Sequence, residues 1–180
     1  MNKDSPTLED EFARVLVELD TRALLLGGVA VTSYGYARLT EDTDWWIDPT
    51  GGSIQWAKRV LDLLDQIRDE FRIMELKKRS MLGRYPKDRG NPDFSVTIIT
   101  KAESEGVIRI QNETGTVDLF YAANNIRDFE TAWRRSLPVG SLRKLSVDDL
   151  IASKRGTRRQ KDSLDIQFLQ TLKKDGATGR

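Results

Sequence analysis

The chain has 180 residues, 38% of them hydrophobic, which is enough for one well-buried domain and too few for two. It contains no His and no Cys, which excludes Ser/His/Asp and Cys/His triads, ordinary zinc sites, disulfides and thiol redox chemistry. Net charge is +1, yet residues 134–180 carry 12 basic and 5 acidic side chains, a net of +7, against 17 and 23, a net of −6, before them. Such a basic segment fits triphosphate, nucleic acid or an acidic partner, and equally a solvated helix face.

In chain order, Leu8, Phe12, Val15, Leu16 and Leu19 recur at helical spacing after Ser5-Pro6, predicting an amphipathic first helix. Ala23 to Leu26 reads as a buried strand that turns at Gly27-Gly28 into a helix from Val29 to about Tyr36. Thr40 to Asp48 reads as a strand closed by Pro49 and Gly51-Gly52. A longer helix follows, with Ala57, Val60, Leu61, Leu64, Ile67 and Phe71 on one face. Lys77 to Pro92, rich in Gly, Pro and charge, reads mostly as a surface loop.

Phe94 to Ile99, Val107 to Gln111 and Thr116 to Phe120 read as strands, the last two joined by a hairpin turn at Asn112 to Gly115. Asp128 to Arg135, Val147 to Arg155 and Lys161 to Leu172 read as helices, with Ser146 at the start of the second. The expected organisation is a core over residues 1–145, a helical extension of the same domain over 146–172, and a frayed tail over 173–180. The longest apolar run, Ala23 to Val31, is too short to span a bilayer, and the first six residues lack a signal-peptide core. The expectation is a cytoplasmic protein with no membrane partner.

The residues that could carry chemistry centre on Asp42-Thr43-Asp44, which follows Gly27-Gly28 after thirteen intervening residues. On a strand, Asp42 and Asp44 share a face, and two like charges that close are expensive to bury without a cation. Oxygen-only ligands favour Mg2+ or Mn2+. Glycosyltransferases also use such a pair, and surface Asp pairs occur at strand ends. The Gly27-Gly28 turn lets a ligand approach the backbone, and the helix after it presents free amides to phosphate, although such a turn is commonly plain punctuation. Asp118 sits in a strand-like run where an unpaired carboxylate is awkward. Its alternatives are a charge at a sheet edge or one facing an Arg. If its strand lies beside that of Asp44, three carboxylates converge and can hold two divalent ions about 4 Å apart.

Gly27-Gly28, Tyr34-Gly35, Arg38, Thr40, Asp42-x-Asp44 and Val117-Asp118-Leu119 together resemble the nucleotidyltransferase fold of the DNA polymerase beta superfamily. Leu145 to Lys154, then Arg159-Gln160-Lys161-Asp162 and Asp165, are similar to the later motifs of its AbiEii-like bacterial branch. The resemblance spans Leu24 to Leu172. It implies an α/β (α+β) minimal fold, a mixed β-sheet flanked by helices with a short C-terminal helical extension. It also implies metal-dependent transfer of a nucleoside monophosphate from a nucleoside triphosphate to a hydroxyl.

By the same resemblance, Asp42, Asp44 and Asp118 are metal ligands, with Asp118 as general base or the ligand that acidifies the hydroxyl. Gly27, Gly28, Arg38, Thr40, Arg159 and Asp162 bind the nucleotide. Lys154 reaches the phosphates or orients the base, against the plain reading of an exposed helix lysine. Arg159 and Asp162 match as an ion pair that fixes the basic helix. Trp45 and Trp46 depart from the aliphatic residues usual there, so one ring is a candidate base-stacking platform and the other a core residue. The first-choice acceptor is RNA such as tRNA, through the basic C-terminal segment, or a protein, with the chain as the toxin of a toxin–antitoxin or abortive-infection pair and a cognate antitoxin as partner. Small-molecule transfer of the aminoglycoside type, or a silent nucleotide-binding module, are the alternatives.

Overall fold

The computed structural model describes residues 6–75, 80–85, 98–99, 101, 106–157 and 159–176. Among these, eight strands form one mixed sheet. Helix α1 (Leu8–Glu18) leads into β1 (Ala23–Leu26), α2 (Gly27–Thr32), β2 (Thr43–Ile47) and α3 (Gly52–Asp65). Then come β3 (Phe71–Glu75), β4 (Ser80–Tyr85), β5 (Val107–Gln111) and β6 (Thr116–Phe120). Helix α4 (Phe129–Arg135), β7 (Leu137–Val139), β8 (Leu142–Lys144), α5 (Val147–Lys154) and α6 (Gln160–Lys174) complete the order. The strand order is β4-β3-β5-β6-β2-β1-β8-β7, with β2 parallel to β6, β1 parallel to β8, and the other neighbours antiparallel.

Local chemistry explains most element ends. Helix α1 starts at Leu8 because Thr7 and Asp10 cap each other's backbone amides, which places Pro6 before the cap and outside the first turn. Its face Leu8, Phe12, Val15 and Leu16 is buried against β6 and α3. The hairpin between β5 and β6 is tied by the Asn112 side-chain oxygen Oδ1, which accepts from the amides of Thr114 and Gly115 at 2.8 and 3.1 Å. Asp128 caps α4 through the Thr131 amide, and Ser146 caps α5 through the Asp149 amide.

Several elements differ from the sequence expectation. Helix α2 runs from Gly27 to Thr32, earlier and shorter than Val29 to Tyr36, and β2 starts at Thr43, so Asp42 precedes the strand. Helix α3 stops at Asp65, and Phe71 opens a strand. The end of α3 is tied to α1: Arg14 donates to the Gln66 carbonyl and Glu11 accepts from the Arg68 amide. Those long-range partners end the helix, which its apolar spacing would have continued.

Residues 80–85, expected in a loop, pair as β4 with β3. The rest of the expected loop, apart from residues 80–85, and residues 94–97 of the expected strand lie outside the described residues. Ile98 and Ile99 are helical where a strand was expected, since a short β-branched run fits either state. The β7–β8 hairpin was not anticipated. Its strands have three residues each, and Pro138 is tolerated because β7 is an edge strand.

Candidate metal and nucleotide site

Three registers assemble the acidic floor of a cleft. Leu26, the last residue of β1, faces Asp44, and Asp44 lies level with Asp118 on the parallel neighbour β6. Equal registers on adjacent strands put the two side chains on one face. Asp42 joins them from just before β2, and carboxylate oxygens of the three lie within 4.8 Å of one another. The convergence that the spacing predicted is therefore present.

Burial pushes the Asp44 carboxyl up to about 7, the Asp42 and Asp118 carboxylates add to the shift, and Lys154 and the Gly28 amide oppose it. Asp118 is likewise raised by burial, although hydrogen bonds from Arg109 pull the other way. A cluster of three converging carboxylates, with oxygen donors alone, fits a hard divalent cation.

The two glycines are explained by what touches them. Gly27 has φ +67, and a Cβ there would lie 1.8 Å from an Asp44 carboxylate oxygen. A Cβ on Gly28 would lie 2.6 Å from both the Arg38 guanidinium and the Thr40 hydroxyl. Thr40 donates to the Asp42 carbonyl at 3.2 Å and so braces the loop that carries the first carboxylate.

A cationic wall faces this floor. Arg38 makes a two-toothed pair with fully buried Asp165, Nε to Oδ1 at 2.8 Å and Nη2 to Oδ2 at 3.0 Å. Lys154 Nζ lies 2.7 Å from Asp165 and 3.2 Å from Asp162. The expected pair of Arg159 with Asp162 is present at 2.6 Å, and Thr157 donates to the same carboxylate. Burial pushes the Asp162 carboxyl up, but the bonds from Thr157 and Arg159 and the charge of Lys154 outweigh it and hold it below the usual range. Lys154 is 6% exposed, so the exposed-lysine reading fails, because α6 packs on α5 and brings both carboxylates onto it.

Apart from fully buried Asp165, these residues share one cleft of about 310 Å³, lined also by Phe120, Asn124, Ser153 and Lys161. The ten residues expected to bind metal or nucleotide or to act in catalysis line it: Gly27, Gly28, Arg38, Thr40, Asp42, Asp44, Asp118, Lys154, Arg159 and Asp162. The tryptophans do not. Trp45 and Trp46 are both buried in the core, Trp46 donating to the Tyr121 carbonyl and meeting Phe129 edge-on, so the base-stacking expectation is corrected.

Arg109 was missed. From β5 it forks onto Asp118, Nε to Oδ1 and Nη2 to Oδ2 both at 2.7 Å, and Nη2 also reaches Asp42 at 3.0 Å. The alternative that Asp118 faces an Arg thus holds alongside the cluster. Counting outward from the Asn112–Gly115 turn would have found it, since 111 opposite 116 puts 109 opposite 118.

No protein-family model matches the chain, and no curated protein matches it significantly. Solved structures do. The lincosamide antibiotic adenylyltransferase LnuA, bound to lincomycin, aligns with TM-score 0.57 and 15% identity over 93% of this chain and 99% of LnuA. The antibiotic-resistance factor ANT(2'')-Ia aligns with TM-score 0.51 and 12% identity over 89% of this chain and 80% of its own. JHP933 from Helicobacter pylori aligns with TM-score 0.50 and 15% identity over 93% of this chain and 65% of its own. At these identities the likeness concerns architecture, and the AbiEii-like branch rests on sequence motifs alone. Together with the mixed, helix-flanked sheet, it gives the chain a nucleotidyltransferase fold.

Proposed function

We propose that the chain is a metal-dependent nucleotidyltransferase that moves a nucleoside monophosphate from a nucleoside triphosphate to a hydroxyl acceptor. The observation that carries this reading is a single cleft in which three carboxylates face a wall of cations, each held by a buried carboxylate, across a glycine turn. In this reading Asp42, Asp44 and Asp118 hold Mg2+ or Mn2+. When bound, such an ion neutralises charge on the transferring phosphoryl group and lowers the pKa of the attacking hydroxyl.

The chain's own residues do the rest. The Gly27-Gly28 turn lets phosphate approach the backbone, while Arg38, Lys154 and Arg159 supply positive charge held in place by Asp162 and Asp165. Thr40 keeps the Asp42 loop seated. Asp118 accepts the proton as the acceptor oxygen bonds to the α-phosphorus, the bond from that phosphorus to the pyrophosphate bridging oxygen breaks, and pyrophosphate leaves.

A small hydroxyl-bearing molecule is the better-supported acceptor. Support comes from the likeness to LnuA, a lincosamide antibiotic adenylyltransferase whose structure holds lincomycin, a small molecule. RNA is the second reading, supported by the net charge of +7 in residues 134–180. That charge is less available than the count implies. Of the five acids in that stretch, Asp148, Asp149, Asp162 and Asp165 each pair with a basic side chain.

The test is incubation with each labelled nucleoside triphosphate and Mg2+, offering lincosamides and aminoglycosides in one arm and total tRNA in another. Label on the small molecule supports the reading, and label on tRNA moves the acceptor to RNA. Tight nucleotide binding without pyrophosphate release in any arm overturns the transferase reading.

A further inference from the structure

Resting on the nucleotidyl-transfer reading above, we propose that Arg109 is an exchangeable counter-ion and nucleotide-binding residue. It neutralises Asp42 and Asp118 in the free protein, then passes to the incoming phosphates when those carboxylates take a divalent cation. The two-toothed bond to Asp118 uses both of its oxygens, and the same guanidinium also reaches Asp42. Keeping that fork leaves Asp118 only its outer lone pairs, and a cation bound there would stand against a guanidinium already 2.7 Å away.

One partner must move, and burial decides which. The Asp118 side chain is 7% exposed and fixed in the sheet, whereas the Arg109 side chain is 30% exposed on a long flexible stem at the cleft edge. Its destination follows from the charges in the cleft. Among the described residues, the remaining carboxylate lining it outside the cluster, Asp162, is already taken by Lys154 and Arg159. An entering phosphate is therefore the anion that can receive the guanidinium, in the planar geometry Arg prefers.

The consequence is coupling. A divalent cation alone must dislodge Arg109 and leave it without a partner, while a cation arriving with nucleotide brings the replacement partner. Nucleotide should thus tighten metal binding, and metal should tighten nucleotide binding by the same factor.

Calorimetry or Mn2+ paramagnetic resonance, with and without a non-hydrolysable triphosphate analogue, tests this on the full chain. Wild type should bind Mn2+ weakly alone and about tenfold or more tightly with the analogue. Arg109→Gln should bind Mn2+ alone about tenfold more tightly than wild type, since a cation at contact distance has been removed, and should lose most of the coupling. Arg109→Lys keeps the charge without the fork and should fall between, and it carries the test if the Gln variant does not fold.

Mn2+ affinity that is unchanged or lower in Arg109→Gln, or in the Lys variant where that is the one folded, overturns the inference. Asp44→Ala separates this from failure of the underlying reading. Equal Mn2+ binding by wild type and Asp44→Ala sinks the metal cluster itself. Loss of binding in Asp44→Ala with no gain in the Arg109 variant sinks the Arg109 inference alone.

Discussion

The floor and the wall of the cleft solve opposite electrostatic problems. On the floor one guanidinium pairs with Asp42 and Asp118, while burial and those two neighbouring carboxylates push Asp44 up to about 7. In the wall two carboxylates, Asp162 and Asp165, are enclosed by Lys154, Arg38 and Arg159, and Asp162 is held below its usual range. The floor is built by strand register, which brings like charges together whatever their repulsion. The wall is built by helix packing, which buries charge only where it is paired. A fixed wall beside an exchangeable floor is the arrangement expected of a site that receives a cation and a polyanion together.

Removing a floor carboxylate tests this contrast most strongly. Asp44→Ala should lower the rate of nucleotidyl transfer by about 10³-fold or more, while leaving stability without metal within about 1 kcal/mol. In wild type, Mn2+ at a hundredfold excess over its Kd should raise stability by about 2.7 kcal/mol, and this gain should vanish in the variant. Denaturant titrations with and without Mn2+ measure both quantities.

Breaking the wall should do the reverse. Asp165→Ala strands Lys154 and Arg38 beside each other, and should cost about 3–5 kcal/mol of stability with no metal present. Equal stability losses in Asp44→Ala and Asp165→Ala would erase the distinction between the two regions.

The smallest effect concerns Tyr34, which belongs to neither region and donates to the Leu145 carbonyl. Burial pushes its phenol up to about 12, with the Asp149 charge adding to the shift. The folded pKa exceeds the unfolded value of about 10, so the neutral phenol's contribution is intact below pH ~10 and is lost as pH rises towards 12. Because the group is partly exposed, the contribution is at most about 1 kcal/mol. Tyr34→Phe should flatten the stability profile in that window.

Much of the site was legible in the chain because it depends on local spacing. Gly27-Gly28, Asp42-x-Asp44 and Asp118 sit at the ends or centres of runs whose alternation predicts β1, β2 and β6, and a parallel β2–β6 pair brings the acids level. Lys154, Arg159 and Asp162 were identified by likeness, but the burial of Lys154 and Asp162 was not, because it depends on α6 docking against α5. Trp45 and Trp46 were assigned in part to the cleft because aromatic residues serve cores and ligands alike. Only the packing of Phe129 and Tyr121 distinguishes the two.

By itself the sequence determined the strands that carry Asp44 and Asp118 and the absence of nitrogen and sulfur ligands of the His and Cys kind, which leaves oxygen donors in the acidic cluster. These are properties of residue type and of periods of two and 3.6 along the chain. Tertiary structure alone decided that Arg109 caps the acidic cluster and that Asp165 joins Lys154 to Arg38. It also decided that β4, β7 and β8 extend the sheet. Each of these depends on a partner supplied by a distant segment, and the strength of a charge pair or a strand pair is set by that partner's distance and burial.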